Sequence, residues 1–150
     1  MQPDARNACY INEGSVTLPA GYCDRTVNVF TTGGSESPFA LNIARDTPED
    51  GESLPDYVRR QVGLLEKNLR KYRVSRHSVA EVGELKIPAE IIEATYMADR
   101  RQVWQRQLAI YHGDRVLIFT ATATAAFTAQ QNADWEQWVN SFRPGARDHV

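Results

Sequence analysis

The chain is predicted to be an α+β protein built on one curved antiparallel sheet, with helices packed on one face. Three observations predict this. Several segments rich in β-branched and aromatic residues alternate in polarity at every second position, as strands do. Two other segments repeat their apolar residues at helical spacing. The strands of the second half are separated by turns too short for anything but antiparallel neighbours.

Each element follows in order. Residues 10–18 read as one or two short strands broken at Glu13-Gly14. Thr26-Val27-Asn28-Val29-Phe30-Thr31 is a good strand. Gly33-Gly34-Ser35 makes a turn, and residues 39–45 form the next strand, with Phe39, Leu41 and Ile43 on one face and Ala40, Asn42 and Ala44 on the other. The run Asp46-Thr47-Pro48-Glu49-Asp50-Gly51-Glu52 is a surface loop.

A helix is expected to start near Leu54, with Ser53 as its cap and Asp56 completing a capping box. Leu54, Val58, Val62, Leu65 and Leu69 make its apolar stripe. Residues 73–85, 91–97, 102–111 and 115–124 are strands, the first bent at Gly83. The turns between the later ones are Ala98-Asp99-Arg100 and His112-Gly113-Asp114. A last helix carries Trp135, Trp138, Val139 and Phe142 and stops at Pro144-Gly145. The order strands, helix, strands, helix gives the α+β class.

Bulk composition narrows the function. The 150 residues suit one domain, 1–150, with a core over about 9–144. Hydrophobic residues at 42% and charged residues at 24% exclude a disordered chain. A net charge of −2 offers nucleic acid or an anionic membrane no electrostatic hold. The start Met1-Gln2-Pro3-Asp4-Ala5-Arg6-Asn7 lacks the basic and apolar regions of a secretory signal. No stretch approaches the roughly 18 apolar residues of a membrane span. A soluble, cytoplasmic protein without stable membrane insertion is therefore expected. Cys9 and Cys23 have neither redox nor zinc spacing and are expected as free thiols acting as small hydrophobes.

The face turned away from the expected helices is the informative one. Phe30, Trp104, Leu108, Ile110, Leu117 and Phe119 go inward, so Val27, Val29, Ala40, Ala44, Gln105, Gln107, Ala109, Val116, Ile118, Thr120 and Thr122 point the other way. A solvated face carries Lys, Glu and Arg. This one carries Val, Ile, Ala and Thr, with Gln as its polar group. By pattern alone it packs on the same chain, on a second copy, or on a separate ligand.

Thr26-Val27-Asn28-Val29-Phe30, Ile43-Ala44-Arg45-Asp46, Asp56-Tyr57-Val58-Arg59-Arg60-Gln61 and Gln105-Arg106-Gln107 occur in that order. The ordered set resembles the Eag, or DcrB-like, effector-associated chaperones of type VI secretion, over residues 10–144. Each segment alone is a few common residues; their order and spacing carry the likeness. It implies a Mog1/PsbP-like fold, a homodimer, and a cupped apolar surface that holds hydrophobic helices from an effector's N-terminus. Family groove positions fall on Val27, Val29, Ala44, Gln61 and Gln107. Val27 and Val29 stand where bulkier Ile is common, and Ala44 where a small hydroxyl residue occurs. Gln61 enters through the resemblance, since periodicity does not single it out.

The expected client-binding set is thus Val27, Val29, Ala40, Ala44, Gln61, Gln105, Gln107, Ala109, Ile118 and Thr120. The expected function is shielding an effector's membrane-spanning helices before export, with no cofactor, no metal and no catalysis. The alternative is a small enzyme or ligand carrier, its pocket enclosed by the sheet and worked by His77 or a carboxylate. His77, His112 and His149 form no metal-ligand spacing. Asp46, Glu93 and Asp99 are read as solvated charges, at least two of them at strand ends or turns, and Arg70-Lys71-Tyr72-Arg73 with Arg76 as a solvated helix end. Trp135 and Trp138 are read as core.

Overall fold

The computed structural model describes residues 8–33 and 38–145, so the expected Gly34-Ser35 part of a turn and His149 lie outside the described residues. Strands β1 (Ala8–Ile11) and β2 (Gly14–Thr17) form a separate hairpin. The main sheet contains β3 (Asn28–Thr31), β4 (Phe39–Asp46), β5 (Arg70–Val82), β6 (Ile87–Ala98), β7 (Arg101–His112) and β8 (Arg115–Ala123). Its order is β3-β4-β8-β7-β6-β5, antiparallel throughout. Helix α1 (Leu54–Asn68) joins β4 to β5, and α2 (Ala129–Asn140) follows β8.

Local chemistry sets the turns. Ala98 pairs with Arg101, so Asp99 and Arg100 make a two-residue hairpin with φ of 50° and 67°. Two left-handed residues match the twist of the flanking strands. At the β5–β6 turn, Gly83 has φ of 71°, and a Cβ there would lie 3.0 Å from the Phe142 carbonyl oxygen. The Gly83 amide donates to Asn140 Oδ1 at 3.2 Å, so the end of α2 docks on this turn.

Both helices are capped as their sequences imply, with one difference. Thr128 and Gln131 form a complete reciprocal capping box on α2. On α1, Ser53 Oγ accepts from the Asp56 amide at 3.2 Å, but the Asp56 carboxylate turns to Arg59 at 2.7 Å. Asp is one methylene shorter than the Glu or Gln that normally reaches back.

The class is the expected α+β, but the two helices lie on opposite faces of the sheet. Trp135 and Val139 of α2 pack with Leu108, Ile110, Leu117 and Phe119. Leu54, Tyr57 and Val58 of α1 pack with Ile92, Ala94, Ala109 and Val116, which alternate with the first set along the strands. The reason is that α1 has its own apolar stripe and the second face of β6 and β7 is apolar too. Each buries the other. The basic residues Arg70, Lys71, Arg73 and Arg76 lie on edge strand β5 rather than at a helix end. Charge on an edge strand opposes pairing with a foreign strand. Cys9 and Cys23 are free, and Cys23 is exposed rather than packed as a small hydrophobe.

On the α2 side the core is aromatic. Phe119 meets Trp138 and Phe142 edge-on, with ring centroids 5.4 and 5.6 Å apart. Phe30 reaches Trp138 at 6.2 Å, which anchors the short strand β3 through the same cluster. Packing Phe30 against Trp138 turns Val29 to the other face.

Candidate functional site

The register aligns the residues of the α1-side face into rows that cross the sheet. One row runs Ala44, Ile118, Ala109, Glu90 from β4 to β6. The next runs Val29, Asn42, Thr120, Gln107, Ile92, His77 from β3 to β5. The third runs Thr31, Ala40, Thr122, Gln105, Ala94, Val74. Val27 immediately precedes β3, beside the first row.

Helix α1 covers only part of this face. It packs on β5, β6 and β7, leaving the side of β3 and β4 uncovered. Val27 and Val29 are accordingly 52% and 64% exposed, high values for valines on a sheet face. Ala40, Asn42 and Ala44 are half-buried. Thr120 sits at the sheet centre at 4% exposure, flanked by Asn42 and Gln107. Ala109 lies under α1 at 6% exposure rather than on the open floor.

The first half of α1 is docked and the second half stands off. Leu54, Tyr57 and Val58 are buried, whereas Gln61, Val62 and Leu65 are only partly so. The docked end is held by a polar clamp. The Tyr57 hydroxyl donates to Asp46 Oδ2 on β4, and Tyr111 on β7 donates to the Glu52 carbonyl oxygen. Arg60 donates twice to the Glu52 carboxylate, both at 2.8 Å. Those bonds hold the Glu52 carboxyl down at about 2. Burial pushes the Tyr57 and Tyr111 phenols up, with Asp46 adding to the rise at Tyr57.

Between the raised half of α1 and the sheet lies a cleft of about 90 Å³. Of the expected site residues it is lined by Gln61, Gln107, Ala109 and Ile118. Val27, Val29, Ala40, Ala44 and Gln105 are not in the cleft; they belong to the adjoining open face. Among the described residues neither the Gln61 nor the Gln107 carboxamide has a hydrogen-bond partner. Gln105 is engaged, donating to Thr122 Oγ1 at 3.4 Å.

Tyr57, Val58, Val62, Leu65, Glu90 and Ile92 in the cleft lay outside the expected site set, as did Asn42 on the floor. Glu90 is the least expected, a carboxylate at 8% exposure. His77 Nε2 lies 2.8 Å from Glu90 Oε1. Strict alternation along β6 would have paired Glu90 with Ile92 on one face. Glu93, expected as a solvated charge, is partly buried in mid-strand and paired with Arg106 at 3.0 Å. No group of three His, Cys, Asp or Glu among the described residues could hold a metal ion. No helix among them is long and apolar enough to cross a membrane.

The chain is 24% identical over 136 residues to Effector EagT6 of Pseudomonas aeruginosa, covering 89% of this chain and 93% of that protein. Its fold matches the crystal structure of PA94, a Pseudomonas aeruginosa protein of unknown function, with a TM-score of 0.74 at 22% identity, covering 93% of this chain and 96% of that one. A further similar structure is CyanoP, the PsbP of Synechocystis sp. PCC 6803, with a TM-score of 0.47 at 12% identity over 93% of this chain and 88% of that one. The DcrB family itself matches residues 13–141, a span that takes in both helices and every strand of the six-stranded sheet, and the chain is a member of it.

Proposed function

We propose that this chain is a cytoplasmic chaperone of a type VI secretion effector, holding the effector's N-terminal hydrophobic helices on the open face beside α1. The observation that carries this reading is the open, largely uncharged floor of β3, β4 and β8, whose carboxylate at the end of β4, Asp46, is held by Tyr57. Between Val29 and Thr120 it presents Val, Thr, Ala, Asn and Ile, bounded on one side by α1.

The dimensions suit a helix. Three strands at roughly 4.8 Å spacing make a floor about 14 Å wide. An α-helix with its side chains is about 10–12 Å across. One client helix therefore fits beside α1, completing the layer that α1 begins. Ala40 and Ala44 leave shallow depressions, and small residues let helices approach closely in membrane proteins. Gln61 and Gln107 supply donors and acceptors without a buried charge. Covering roughly 400 Å² of apolar surface is worth about 10 kcal/mol gross, enough for a holdase after the cost of ordering the client.

The similarity to a protein named Effector EagT6 supports an effector-associated role. Exposed Tyr10, Ile11 and Val16 on the β1–β2 hairpin supply further apolar surface and support a homodimer. Two copies would clasp two client helices with raised effective concentration. The alternative of a ligand carrier draws on the His77–Glu90 pair, but a cleft of about 90 Å³ is well below the roughly 300–1,000 Å³ of drug-sized ligand sites.

The test is capture from the native cell with mass spectrometry, comparing the chain with its Val27→Asp/Val29→Asp variant. Both valines are exposed, so the variant should fold. Recovery of an effector with N-terminal apolar helices by the unmodified chain, and its loss from the variant, is the expected result. Equal recovery by both would overturn the assignment of this face.

A further inference from the structure

Within the groove reading, on which this step rests, we propose that Glu90 selects clients whose hydrophobic helix carries one lysine or arginine. Ten residues line the cleft, and Glu90 is the charged one: Tyr57, Val58, Gln61, Val62, Leu65, Ile92, Gln107, Ala109 and Ile118 make up the rest. Its side chain is 9% exposed, and the 2.8 Å contact to His77 engages Oε1. Oε2 has no protein partner among the described residues, yet it is not one of the sealed, unsatisfied atoms. It therefore retains access to the cleft.

An empty cleft lets water solvate that oxygen. A client helix laid on the floor beside α1 closes the mouth of the cleft at Ile118 and removes the water. Sealing a carboxylate beneath apolar side chains is strongly unfavourable unless a donor replaces the lost solvation. His77, its side chain 47% exposed on the edge strand, meets one oxygen from the rim and leaves the other bare. A Lys or Arg side chain of the client supplies both hydrogens and the opposite charge. Their long stems lie along apolar surface while the head group reaches a polar site. Selection then works as much by penalty as by attraction: a fully apolar helix leaves Glu90 stranded, and an acidic one adds repulsion.

The register adds a depth requirement. Glu90 lies in the same row as Ala109 and Ile118, two strands in from β8, so a basic side chain must enter the cleft beside Ile118, with its stem along Ala109, to reach it. The cation must therefore sit on the helix face turned towards α1.

The test uses three uncharged 20-residue Leu/Ala/Ser peptides, made soluble by polyethylene glycol at each end, with Lys, Met or Glu at one central position. Fluorescence anisotropy measures their binding to the full chain and to Glu90→Gln, which keeps the size and the His77 contact. The Lys peptide should bind the unmodified chain at least about tenfold more tightly than the Met peptide, the Glu peptide most weakly. Glu90→Gln should bind the Met peptide at least as well as before and lose the preference for Lys. Equal binding of Lys and Met peptides by the unmodified chain overturns the selection while leaving the groove intact. So does a Lys preference that survives in Glu90→Gln. Failure of every peptide to bind overturns the groove reading and the selection together.

Discussion

Tyr57 donates a 2.7 Å hydrogen bond to Asp46, tying the first turn of α1 to the last residue of β4. The phenol is buried at 1% exposure, so helix docking and the adjacent open floor share one contact. Removing the hydroxyl with Tyr57→Phe leaves the ring packed and deprives Asp46 of its donor. The expected loss is about 1–2 kcal/mol of unfolding free energy, measured by urea denaturation. Because burial and Asp46 raise the phenol's folded-state pKa, its contribution is complete below the ordinary value of 10.0 and is lost as pH rises above it. Tyr57→Phe should therefore flatten the alkaline limb of a stability–pH curve. An unchanged limb would place the alkaline sensitivity elsewhere.

Acid acts through the other half of the clamp. Glu52 titrates near 2 in the fold against an ordinary 4.5, because Arg60 donates to it twice. A depressed carboxyl stabilises the fold above its unfolded value and loses that contribution as pH falls from about 4.5 towards 2. Melting temperatures of Glu52→Gln should be lower than those of the unmodified chain at pH 7 and converge with them near pH 2.

The open floor can be blocked without touching the core. Ala44→Leu adds bulk on β4 at a half-buried position beside Ile118. Stability should change by less than about 1 kcal/mol, since the added side chain extends over the uncovered face. Capture of a hydrophobic segment should fall sharply. A variant that retains full capture would mean that the client does not lie over β4.

Phe119 is the counterpart on the opposite face, where it joins Trp138 and Phe142. Phe119→Ala removes a ring at 2% exposure and is expected to cost about 3–5 kcal/mol. That is a large share of the roughly 5–15 kcal/mol that holds a domain together. Guanidinium denaturation measures it. Capture should fail in step with unfolding, unlike Ala44→Leu, in which the fold survives.

The elements themselves were legible in the chain because their causes are local. The stripe from Leu54 to Leu65, the Ser53 cap and the turn at Asp99-Arg100 depend on near neighbours, and they form where those neighbours dictate. Alternation also sorted Val29, Ala44, Gln107 and Ile118 onto one face and Leu108, Leu117 and Phe119 onto the other. What alternation does not carry is which face a helix chooses. Both faces of β7 are apolar enough to receive one, and the loop from Asp46 to Ser53, with Tyr57 and Tyr111 closing on Asp46 and Glu52, holds α1 on the side opposite α2.

That choice decides the site. The order of residues established an uncharged face and the periods of its elements; long-range packing determined that α1 covers half of the face, stands off at Gln61, and leaves β3 and β4 bare. It also brought Glu90 and His77, thirteen positions apart, to 2.8 Å at the cleft. The physical reason is range. Propensity and alternation act over a few residues, whereas a cleft is the space left between elements distant in the chain, and no local pattern encodes the size of a gap.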